Sequence, residues 1–482
     1  MTTRRELIES LGAAVGSENV LWRPEDLLIY QFDGTVEQMS PHAVVFPDST
    51  AEVAAVVRAC NRLEVPITPR GAGTGLSGGS VPRRRGVVVT TGRLRKIVEL
   101  NPESRVAVVE PGVPNIRISE AAAPHGLFFA PDPSSQHACT IGGNVAENAG
   151  GPHCLALGVT TNHVLGVEVV TAAGDVLWLG GQVPDSPGYD LRGAFIGSEG
   201  TLGIATKVAV QLLPLPASVI TLLAIFDSIV DATEAVSGII AGGLVPAALE
   251  MMDATTIEAI EGSLACGYPP DAGAVLLVEL DGLEEIADNQ SEVARTVCDE
   301  KGAREVRVAR SEEERALLWR GRKGAIGALG FLAPNYYILD GVVPRSRLAK
   351  VMTGVGEIGR KFDLRIANVF HAGDGNLHPC ILFDEQEPGA KGKVLEAGGE
   401  VMKLCVDAGG ALSGEHGIGF EKLRFMPWLF TDLDMENMGL LREVFGNNEL
   451  FNPCKLLPGG SGCGEVTSQS AAIAAAGPEA YV

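Results

Sequence analysis

The sequence has few aromatic residues and too little positive charge to balance its acids. Only 5% of the 482 residues are aromatic, and 38 Lys and Arg stand against 60 Asp and Glu, which gives a formal net charge of −22. Proteins that bind nucleic acid usually carry a basic footprint, so we expect no nucleic-acid partner. An acidic surface keeps a protein soluble and by itself indicates no other partner.

Cysteine pairs are missing as well. The nine cysteines are an odd number and include no Cys-x-x-Cys pair, so neither a disulfide framework nor a cysteine zinc site is predicted. We expect reduced thiols and a cytoplasmic location. The same absence indicates that the chain does not hold an iron–sulfur cluster of the usual type by itself, so any such electron relay would belong to a partner subunit.

Long apolar runs are also absent. The longest, such as 217–226, have about half the length that a membrane-spanning helix needs. The first eleven residues continue through Glu6 and Glu9 without an apolar core, which is unlike a signal peptide. We expect no transmembrane segment and at most a peripheral association with a membrane.

The length of the chain predicts at least two domains, because one hydrophobic core rarely grows beyond roughly 250–300 residues. In the first part, β-branched runs alternate with helical patterns, such as a helix near 50–64 capped by Ser49 or Thr50, up to a proline-rich boundary at 213–216. The runs 167–171 and 176–179 flank a turn and predict a hairpin. From residue 217 a strand-helix-strand order suggests an antiparallel, ferredoxin-like sheet with helices to one side. We predict an α+β protein with a first domain at 1–216, a second, ferredoxin-like domain with a helical C-terminal piece at 217–457, and a disordered tail at 458–482.

Glycine is over-represented. The 60 glycines are about one residue in eight, against roughly 7% in average proteins. Five of them fall in 69–79 directly after a predicted strand, where successive backbone N–H groups can bind a pyrophosphate. The register 73–78 matches Gly-x-Gly-x-x-Gly, but Gly79, Pro82 and arginines follow instead of a helix, which disfavours a Rossmann site. A flexible loop without a ligand is the alternative for this segment alone.

Two further glycine-rich segments, 131–151 and 197–204, repeat this chemistry. Three separated loops in one domain argue against loops that bind no ligand. They suit an extended dinucleotide better than a mononucleotide. The residues predicted to bind the cofactor are Pro69, Arg70, Gly71, Ala72, Gly73, Thr74, Gly75, Ser77, Gly78 and Gly79 in the first loop; Pro131, Asp132, Thr140, Gly142, Gly143, Asn144, Asn148, Gly150 and Gly151 in the second; and Glu199, Gly200, Gly203 and Ile204 in the third.

The three loops resemble the FAD-binding fold of the vanillyl-alcohol oxidase and p-cresol methylhydroxylase superfamily. The matching elements are Pro-Arg-Gly-Ala-Gly-Thr at 69–74, Gly-Gly-x-x-Ala-Glu-Asn-Ala-Gly-Gly at 142–151 and Gly-Ser-Glu-Gly-Thr-Leu-Gly at 197–203. The resemblance implies a two-part FAD-binding domain of the p-cresol methylhydroxylase type. Covalent members attach the flavin to a histidine in or near the first loop, whereas 66–82 contains none, so non-covalent FAD is expected.

The second half of the chain has histidines beside tight glycine turns. His371 and His378 flank Gly-Asp-Gly-Asn between two apolar runs, so a hairpin turn would bring both imidazoles to the same end. Glu415 and His416 stand between glycines that permit close approach to a ligand. Two histidines and one carboxylate can form an open metal site with positions left for substrate. Hydrogen-bonded core histidines and a salt-bridged core glutamate are the alternative.

These motifs resemble the C-terminal domain of FAD-linked oxidases such as D-lactate, D-2-hydroxyglutarate and glycolate dehydrogenases, including the FAD subunit of glycolate oxidase. The resemblance implies that the second domain is a substrate (cap) domain, with a divalent metal of the zinc or manganese type on His371, His378 and Glu415, and with His416 as the catalytic base.

Two more residues are predicted to bind substrate. Trp-Arg-Gly-Arg at 319–322 resembles a family segment whose arginine holds the substrate carboxylate, which implies that role for Arg322; a guanidinium suits a carboxylate because it donates two parallel hydrogen bonds. Tyr337 is a candidate for the same pocket, with core packing as the alternative.

The predicted reaction is oxidation of a small D-2-hydroxy acid, of the glycolate or D-lactate type, to the 2-keto acid. His416 would take the hydroxyl proton while a hydride moves to flavin N5. The electrons would pass to a quinone-linked acceptor or to a partner, and family analogy suggests an iron–sulfur subunit. Two alternatives stay open: oxidation of another alcohol without metal, and a non-catalytic flavin subunit of an electron-transfer complex.

Overall fold

A computed structural model of the chain describes residues 3–184, 187–446 and 449–458. All but the first residue of the tail predicted at 458–482 lies outside these ranges. Within them the chain is a mixture of helices and sheets. None of the described helices combines the length and the apolar character that crossing a bilayer requires.

Two larger sheets form the N-terminal part of the fold. Its strands are β1 (Val20–Leu21), β2 (Ala43–Val45), β3 (Ile67–Arg70), β4 (Val87–Thr90), β5 (Ile97–Asn101), β6 (Val106–Val109), β7 (Leu127–Phe128), β8 (Val164–Val170), β9 (Val176–Gly180), β10 (Ile204–Gln211) and β11 (Leu213–Pro214). The first sheet has the order β1-β2-β4-β3, with β2, β3 and β4 parallel. The second is antiparallel with the order β5-β6-β10-β8-β9, and β7 pairs with β11. The hairpin predicted near 167–179 is confirmed as β8 and β9.

The helices of this part are α1 (Arg4–Val15), α2 (Pro24–Leu27), α3 (Thr50–Arg62), α4 (Asn115–Ala122), α5 (Ile141–Glu147), α6 (Cys154–Leu157), α7 (Thr160–His163) and α8 (Leu191–Phe195). α3 begins after Ser49, whose hydroxyl caps the helix by accepting the N–H of Glu52 at 3.2 Å. Val53 and Val57 lie one turn apart on its buried face. The capped helix predicted near 50–64 is therefore confirmed.

The second glycine-rich segment contains α5, which the sequence did not predict because two glycines lower the helix propensity of its first turn. A Cβ on Gly142 would lie 2.6 Å from Cβ of Pro111, so this glycine permits close packing of the helix. Asn148 ends α5 in the left-handed conformation at φ 53°. Asn144 and Glu147 of this helix line the cavity that is described in the next subsection.

The C-terminal part contains one sheet of nine strands. Its strands are β12 (Ser218–Phe226), β13 (Ala248–Asp253), β14 (Ala274–Gly282), β15 (Glu305–Val308), β16 (Asn335–Ile338), β17 (Gly341–Val342), β18 (Arg365–His371), β19 (Asn376–Leu377) and β20 (Pro379–Phe383). The main order is β15-β12-β14-β13-β18-β19-β17, with β20 between β18 and β16. Its helices are α9 (Ile229–Ala241), α10 (Ala254–Ser263), α11 (Glu284–Glu300), α12 (Glu312–Ala328), α13 (Leu348–Lys361), α14 (Ala390–Asp407) and α15 (Asp432–Val444).

Helices cover both faces of this sheet, so the prediction of helices to one side is wrong. α9, α11, α13 and α14 pack with Leu222 and Leu276 on one face, whereas α10 and α12 pack with Leu223 and Leu277 on the other. The physical reason is the composition of β12 and β14, in which successive residues, pointing to opposite faces of the sheet, are both apolar. A strand that is apolar on both faces must be buried on both.

Seven cysteines of the described ranges are free thiols, and most of them are buried. Cys454 is the exception, because it is disulfide-bonded. The prediction of reduced thiols is therefore wrong at that position.

Candidate active site

A cavity of about 380 Å³ lies between the two parts of the chain. The three glycine-rich loops line one side of it, and residues from α12, His378, Glu415 and His416 line the other. The predicted cofactor residues that line it are Pro69, Arg70, Gly71, Ala72, Gly73, Thr74, Gly75, Gly79, Thr140, Gly142, Gly143, Asn144, Glu199, Gly200, Gly203 and Ile204.

Several polar atoms of the cavity wall have no protein partner. Thr91 Oγ1, Thr140 Oγ1, Ser198 Oγ and Glu147 Oε2 are buried, and each lacks a hydrogen bond within the described part of the chain. Buried polar groups are normally hydrogen-bonded. The wall therefore fits a large ligand with many polar groups, as the predicted FAD is.

Seven predicted cofactor residues do not line the cavity: Ser77, Gly78, Pro131, Asp132, Asn148, Gly150 and Gly151. Asp132 is held instead by two cations, with His153 Nδ1 at 3.0 Å and Lys323 Nζ at 3.1 Å. Asn148 is the C-cap of α5, and its Oδ1 accepts the N–H of Thr161 at 2.9 Å. These two polar side chains organise the protein around the cavity.

The other five support neighbouring segments. The Ser77 carbonyl accepts the N–H of Phe420 at 2.9 Å, and Gly78 packs against the same residue. The Pro131 carbonyl accepts Asn115 Nδ2 at 3.0 Å.

Gly150 and Gly151 permit close approach. A Cβ on Gly150 would lie 3.0 Å from Oε2 of Glu415, and one on Gly151 would lie 2.7 Å from the carbonyl carbon of Asp132. Gly150 therefore leaves room for the Glu415 carboxylate, and Gly151 leaves room for the backbone of Asp132.

The structure brings His371, His378 and Glu415 together. His371 ends β18 and His378 follows β19, so the tight turn between the strands brings the two imidazoles close together. Their Nε2 atoms lie 3.1 and 3.0 Å from Oε1 of Glu415. One donor atom from each of the three residues lies within 4.8 Å of the others, which is a separation that a single metal ion can bridge.

Both imidazoles hold their Nδ1 atoms against acceptors. His371 Nδ1 lies 2.9 and 3.0 Å from the carboxylate oxygens of Glu250, its cross-strand neighbour on β13. His378 Nδ1 lies 3.3 Å from the carbonyl oxygen of Leu339. These acceptors favour a proton on each Nδ1, which directs the Nε2 lone pairs at Glu415. A metal ion in place of a proton on Nε2 would bind both imidazoles and the Glu415 carboxylate together.

The charges of the cluster without a metal ion favour a second proton on His371, which a bound metal ion would displace. Burial lowers the pKa of His371, but Glu250 and Glu415 outweigh it and hold that pKa well above its usual value. Burial raises the pKa of Glu415, but His371 and His378 hold it well below the usual range. The Glu415 carboxylate is therefore ionised and available as a ligand.

Arg322 lies beside this cluster. Its side chain on α12 is 2% exposed, forms an ion pair with Glu250, and places Nη2 3.3 Å from His371 Nδ1. Its Nε has no hydrogen-bond partner among the described residues. Lys323, the next residue, also lines the cavity. Two adjacent cations therefore border the space in front of the histidines.

His416 lies against His378 in the cavity wall. The two rings stack at 4.8 Å with an interplanar angle of 2°. Its Nδ1 is buried without a described partner. Burial, the largest effect, lowers the pKa of His416 to about 4. The imidazole is therefore neutral near pH 7 and can accept a proton.

Asp340 is an organising residue that the sequence did not reveal. It is fully buried after β16 and accepts the Ser413 hydroxyl at 2.6 Å and the N–H groups of Gly414 and His416, each at 3.0 Å. Lys422 Nζ lies 2.8 Å from its carboxylate. The only local signal was an Asp-Gly pair after an apolar strand, which is common in turns.

Glu199 ties the third glycine loop to the His416 segment. Its carboxylate accepts the N–H of Ile418 at 2.7 Å and that of Gly419 at 2.6 Å. The predicted residue thus lines the cavity and also joins the two parts of the chain.

Tyr337 does not line the cavity. Its ring packs in the core against Gly398 of α14, and its hydroxyl interacts with Glu421. Its position on β16 directs it to the face opposite Tyr336. The structure therefore supports the packing alternative for this residue.

Further cavity residues were not predicted individually. Those inside the predicted glycine loops, where the position in the loop was the available signal, are Leu76, Pro133, Ser134, Ser135, Cys139, Ala146, Glu147, Ala149 and Ser198. Those outside the loops, which no motif marks, are Ser80, Thr91, Pro111, Phe195, Ala205, Lys323, Ile326 and Asn452.

Two protein-family domains match the chain. The C-terminal domain of FAD linked oxidases matches residues 215–456, and an FAD binding domain matches residues 41–180. The N-terminal match contains the first two glycine loops, and the C-terminal match contains the histidine cluster.

Curated relatives match over most of their length. The chain is 46% identical over 463 residues to the glycolate oxidase subunit GlcD of Escherichia coli (strain K12), covering 96% of this chain and 93% of the relative. It is 38% identical over 454 residues to GlcD of Bacillus subtilis (strain 168), covering 94% and 97%. It is 35% identical over 429 residues to a D-lactate dehydrogenase of Anaerostipes hadrus, covering 86% and 89%.

Solved structures share the fold. p-Cresol methylhydroxylase with substrate bound superposes with a TM-score of 0.79 at 19% identity, covering 93% of this chain and 96% of that chain. 4-Ethylphenol oxidase from Gulosibacter chungangensis gives 0.78 at 20% identity, covering 94% and 97%. The α+β, two-part FAD-binding architecture is confirmed. The chain therefore belongs to the FAD-linked oxidase family and is an FAD-dependent oxidoreductase.

Proposed function

We propose that the protein oxidises a small D-2-hydroxy acid, of the glycolate or D-lactate type, to the 2-keto acid. The observation that carries the proposal is the convergence of two imidazole Nε2 atoms and one carboxylate beside the neutral imidazole of His416; all of these residues except His371 line the cavity that the glycine loops also line. Relatives named as a glycolate oxidase subunit and a D-lactate dehydrogenase support this substrate class.

We infer that His371, His378 and Glu415 hold a divalent metal of the zinc or manganese type. Support comes from the donor set and from the acceptors behind both Nδ1 atoms, an arrangement common around metal-bound histidines. We also infer that the loops hold FAD without a covalent bond, because no histidine lies in 66–82. When bound, FAD accepts a hydride and the metal makes a coordinated hydroxyl more acidic.

The residues around the cavity have separate roles in this proposal. Arg322 and Lys323 attract and orient the substrate carboxylate, since they are the cations next to the histidine cluster in the cavity wall. His416 takes the hydroxyl proton, because its ring is neutral, half-buried and lines the same space. Asp340 holds His416 in place through its backbone N–H. An iron–sulfur partner, a quinone-linked acceptor and the cytoplasmic location stay predictions.

The proposal is tested by an anaerobic titration of the purified protein with glycolate, D-lactate and L-lactate, followed by loss of the visible flavin absorption. We expect glycolate or D-lactate to bleach the flavin and L-lactate to leave it oxidised. Metal analysis of the same sample should give about one divalent ion per chain. Bleaching by none of the acids, or full activity in a sample free of metal, would contradict the proposal.

A further inference from the structure

Glu147 ends α5 and lies between two segments that meet at the cavity. A Cβ on Gly79 would lie 2.6 Å from its Oε1, and a Cβ on Gly417 would lie 2.4 Å from its Oε2. The first position belongs to the first glycine loop, and the second follows His416 directly in the chain. The carboxyl group therefore fills a gap that exists only because both neighbours are glycines.

No cation or N–H group of the described chain neutralises this carboxyl directly. Its Oε2 is buried without a hydrogen-bond partner. Lys422 Nζ is engaged by Asp340 at 2.8 Å. Lys455 Nζ donates to the Gly79 carbonyl at 2.6 Å and to Asn452 Oδ1 at 3.0 Å.

Other acids lie nearby. Burial is the largest effect that raises the pKa of Glu147 well above its usual value, and the charges of Glu199 and Asp33 add to it. Glu199 already accepts two backbone N–H groups, so it is the better site for the negative charge. Glu147 is the acid that keeps its proton, and a protonated carboxyl is a hydrogen-bond donor.

The position of Glu147 identifies the acceptor. The residue lines the cavity that also contains His378, Glu415 and His416. In the proposed reaction a hydride passes to the ring of FAD, so the ring would lie beside these residues, whereas the pyrophosphate would suit the N–H groups of the glycine loops. The ring carries nitrogen and carbonyl acceptors, and the wall at Glu147 has a donor with no protein partner.

We propose that the protonated carboxyl of Glu147 donates a hydrogen bond to the redox-active ring of FAD and thereby helps to set its reduction potential. Hydrogen bonds and charges near the flavin ring tune its electronics. This inference rests on the proposed function for the place of the ring, but its test uses no hydroxy acid, so its failure and the failure of the proposed function are distinguishable.

Three variants test the role of Glu147. Glu147→Gln keeps a neutral donor, Glu147→Met removes the donor with little change in volume, and Asp33→Asn is a control that removes a nearby acid outside the cavity wall. We would measure the FAD dissociation constant and the flavin midpoint potential without any hydroxy acid, using dye-linked reduction. Thermal unfolding checks that each variant is folded.

We expect Glu147→Gln and Asp33→Asn to bind FAD and to take electrons as the wild type does. Glu147→Met should bind FAD about fivefold more weakly, the loss of one net hydrogen bond, and should have a shifted potential. A folded Glu147→Met protein with unchanged affinity and potential would overturn the proposal. So would a large shift of the potential in Glu147→Gln, because it would show that Glu147 is ionised.

Infrared difference spectra between oxidised and reduced flavin decide the matter even if the methionine variant does not fold. A protonated carboxyl next to the flavin has a carbonyl stretch that moves when the flavin is reduced. We expect such a band in the wild type and in Asp33→Asn, and its loss in Glu147→Gln. A wild-type spectrum without this band, or a band that persists in Glu147→Gln, would overturn the proposal.

Discussion

The carboxylate of Asp340 accepts the backbone N–H of His416 at 3.0 Å, and the same carboxylate receives Lys422 Nζ at 2.8 Å. It also accepts the N–H of Gly414 at 3.0 Å and that of Glu415 at 3.3 Å. One buried acid thus fixes the backbone that carries both a proposed metal ligand and the proposed base. Its position, rather than any contact with substrate, is the reason to test it.

Asp340→Asn should destabilise the protein and empty the proposed metal site. The amide cannot neutralise Lys422, and breaking a buried ion pair costs about 3–5 kcal/mol. The measurements are the midpoint of thermal unfolding and the metal content after dialysis. Asp288→Asn, at an exposed position on α11, should change neither. An Asp340→Asn protein with wild-type stability and metal content would contradict the organising role.

Removal of a proposed ligand should affect the metal and spare the flavin. In His378→Ala the set retains one imidazole and one carboxylate, which bind a divalent ion much less tightly than three ligands. We expect loss of the metal, with FAD still bound at the glycine loops. His125→Ala is the matched control, because His125 is exposed and far from the cavity wall. If His378→Ala retains one ion per chain, the ligand set is wrong.

The two cations on α12 give a prediction about substrate affinity. Lys323→Met should raise the KM for the hydroxy acid by roughly tenfold, the effect of losing one charge-assisted hydrogen bond. FAD binding should not change. Arg320→Met provides the control, since Arg320 is an exposed cation one residue before Gly321 on the same helix. Equal KM values for Lys323→Met and the wild type would remove Lys323 from the substrate site.

His153 predicts a pH dependence of stability. Burial alone would lower its pKa, but Asp132 and Glu279 outweigh this effect and raise the pKa to about 10. A pKa raised above the unfolded value of 6.5 means that the stabilisation is fully present below 6.5 and is lost as the pH rises toward 10. The advantage of the wild type over His153→Gln in thermal unfolding should therefore shrink across this range. A constant difference between pH 6.5 and 10 would show that the ring is not protonated.

Local patterns predicted much of the fold and part of the site. The cap at Ser49, the β8–β9 hairpin and the turn between His371 and His378 depend on residues close in sequence. Each could therefore be read from spacing and turn chemistry. The glycine loops were likewise predicted from their local sequence, and residues of all three line the cavity.

What could not be predicted depends on distant partners. Asp132 and His153 are 21 residues apart and meet through a hydrogen bond. Asp340 binds a loop more than 70 residues later in the chain. The close packing around the Glu147 carboxyl likewise depends on Gly417, which lies far away in the sequence. No local rule reports such contacts, because they arise when separate elements pack together.

Rapid-mixing reduction of the flavin by the best hydroxy acid under anaerobic conditions, compared between the wild type and His416→Gln, tests the central claim most directly. The account predicts that the variant keeps its FAD and its metal but that its flavin is reduced about 10²- to 10⁴-fold more slowly, the usual contribution of a general base. Reduction of the variant at the wild-type rate would contradict the account.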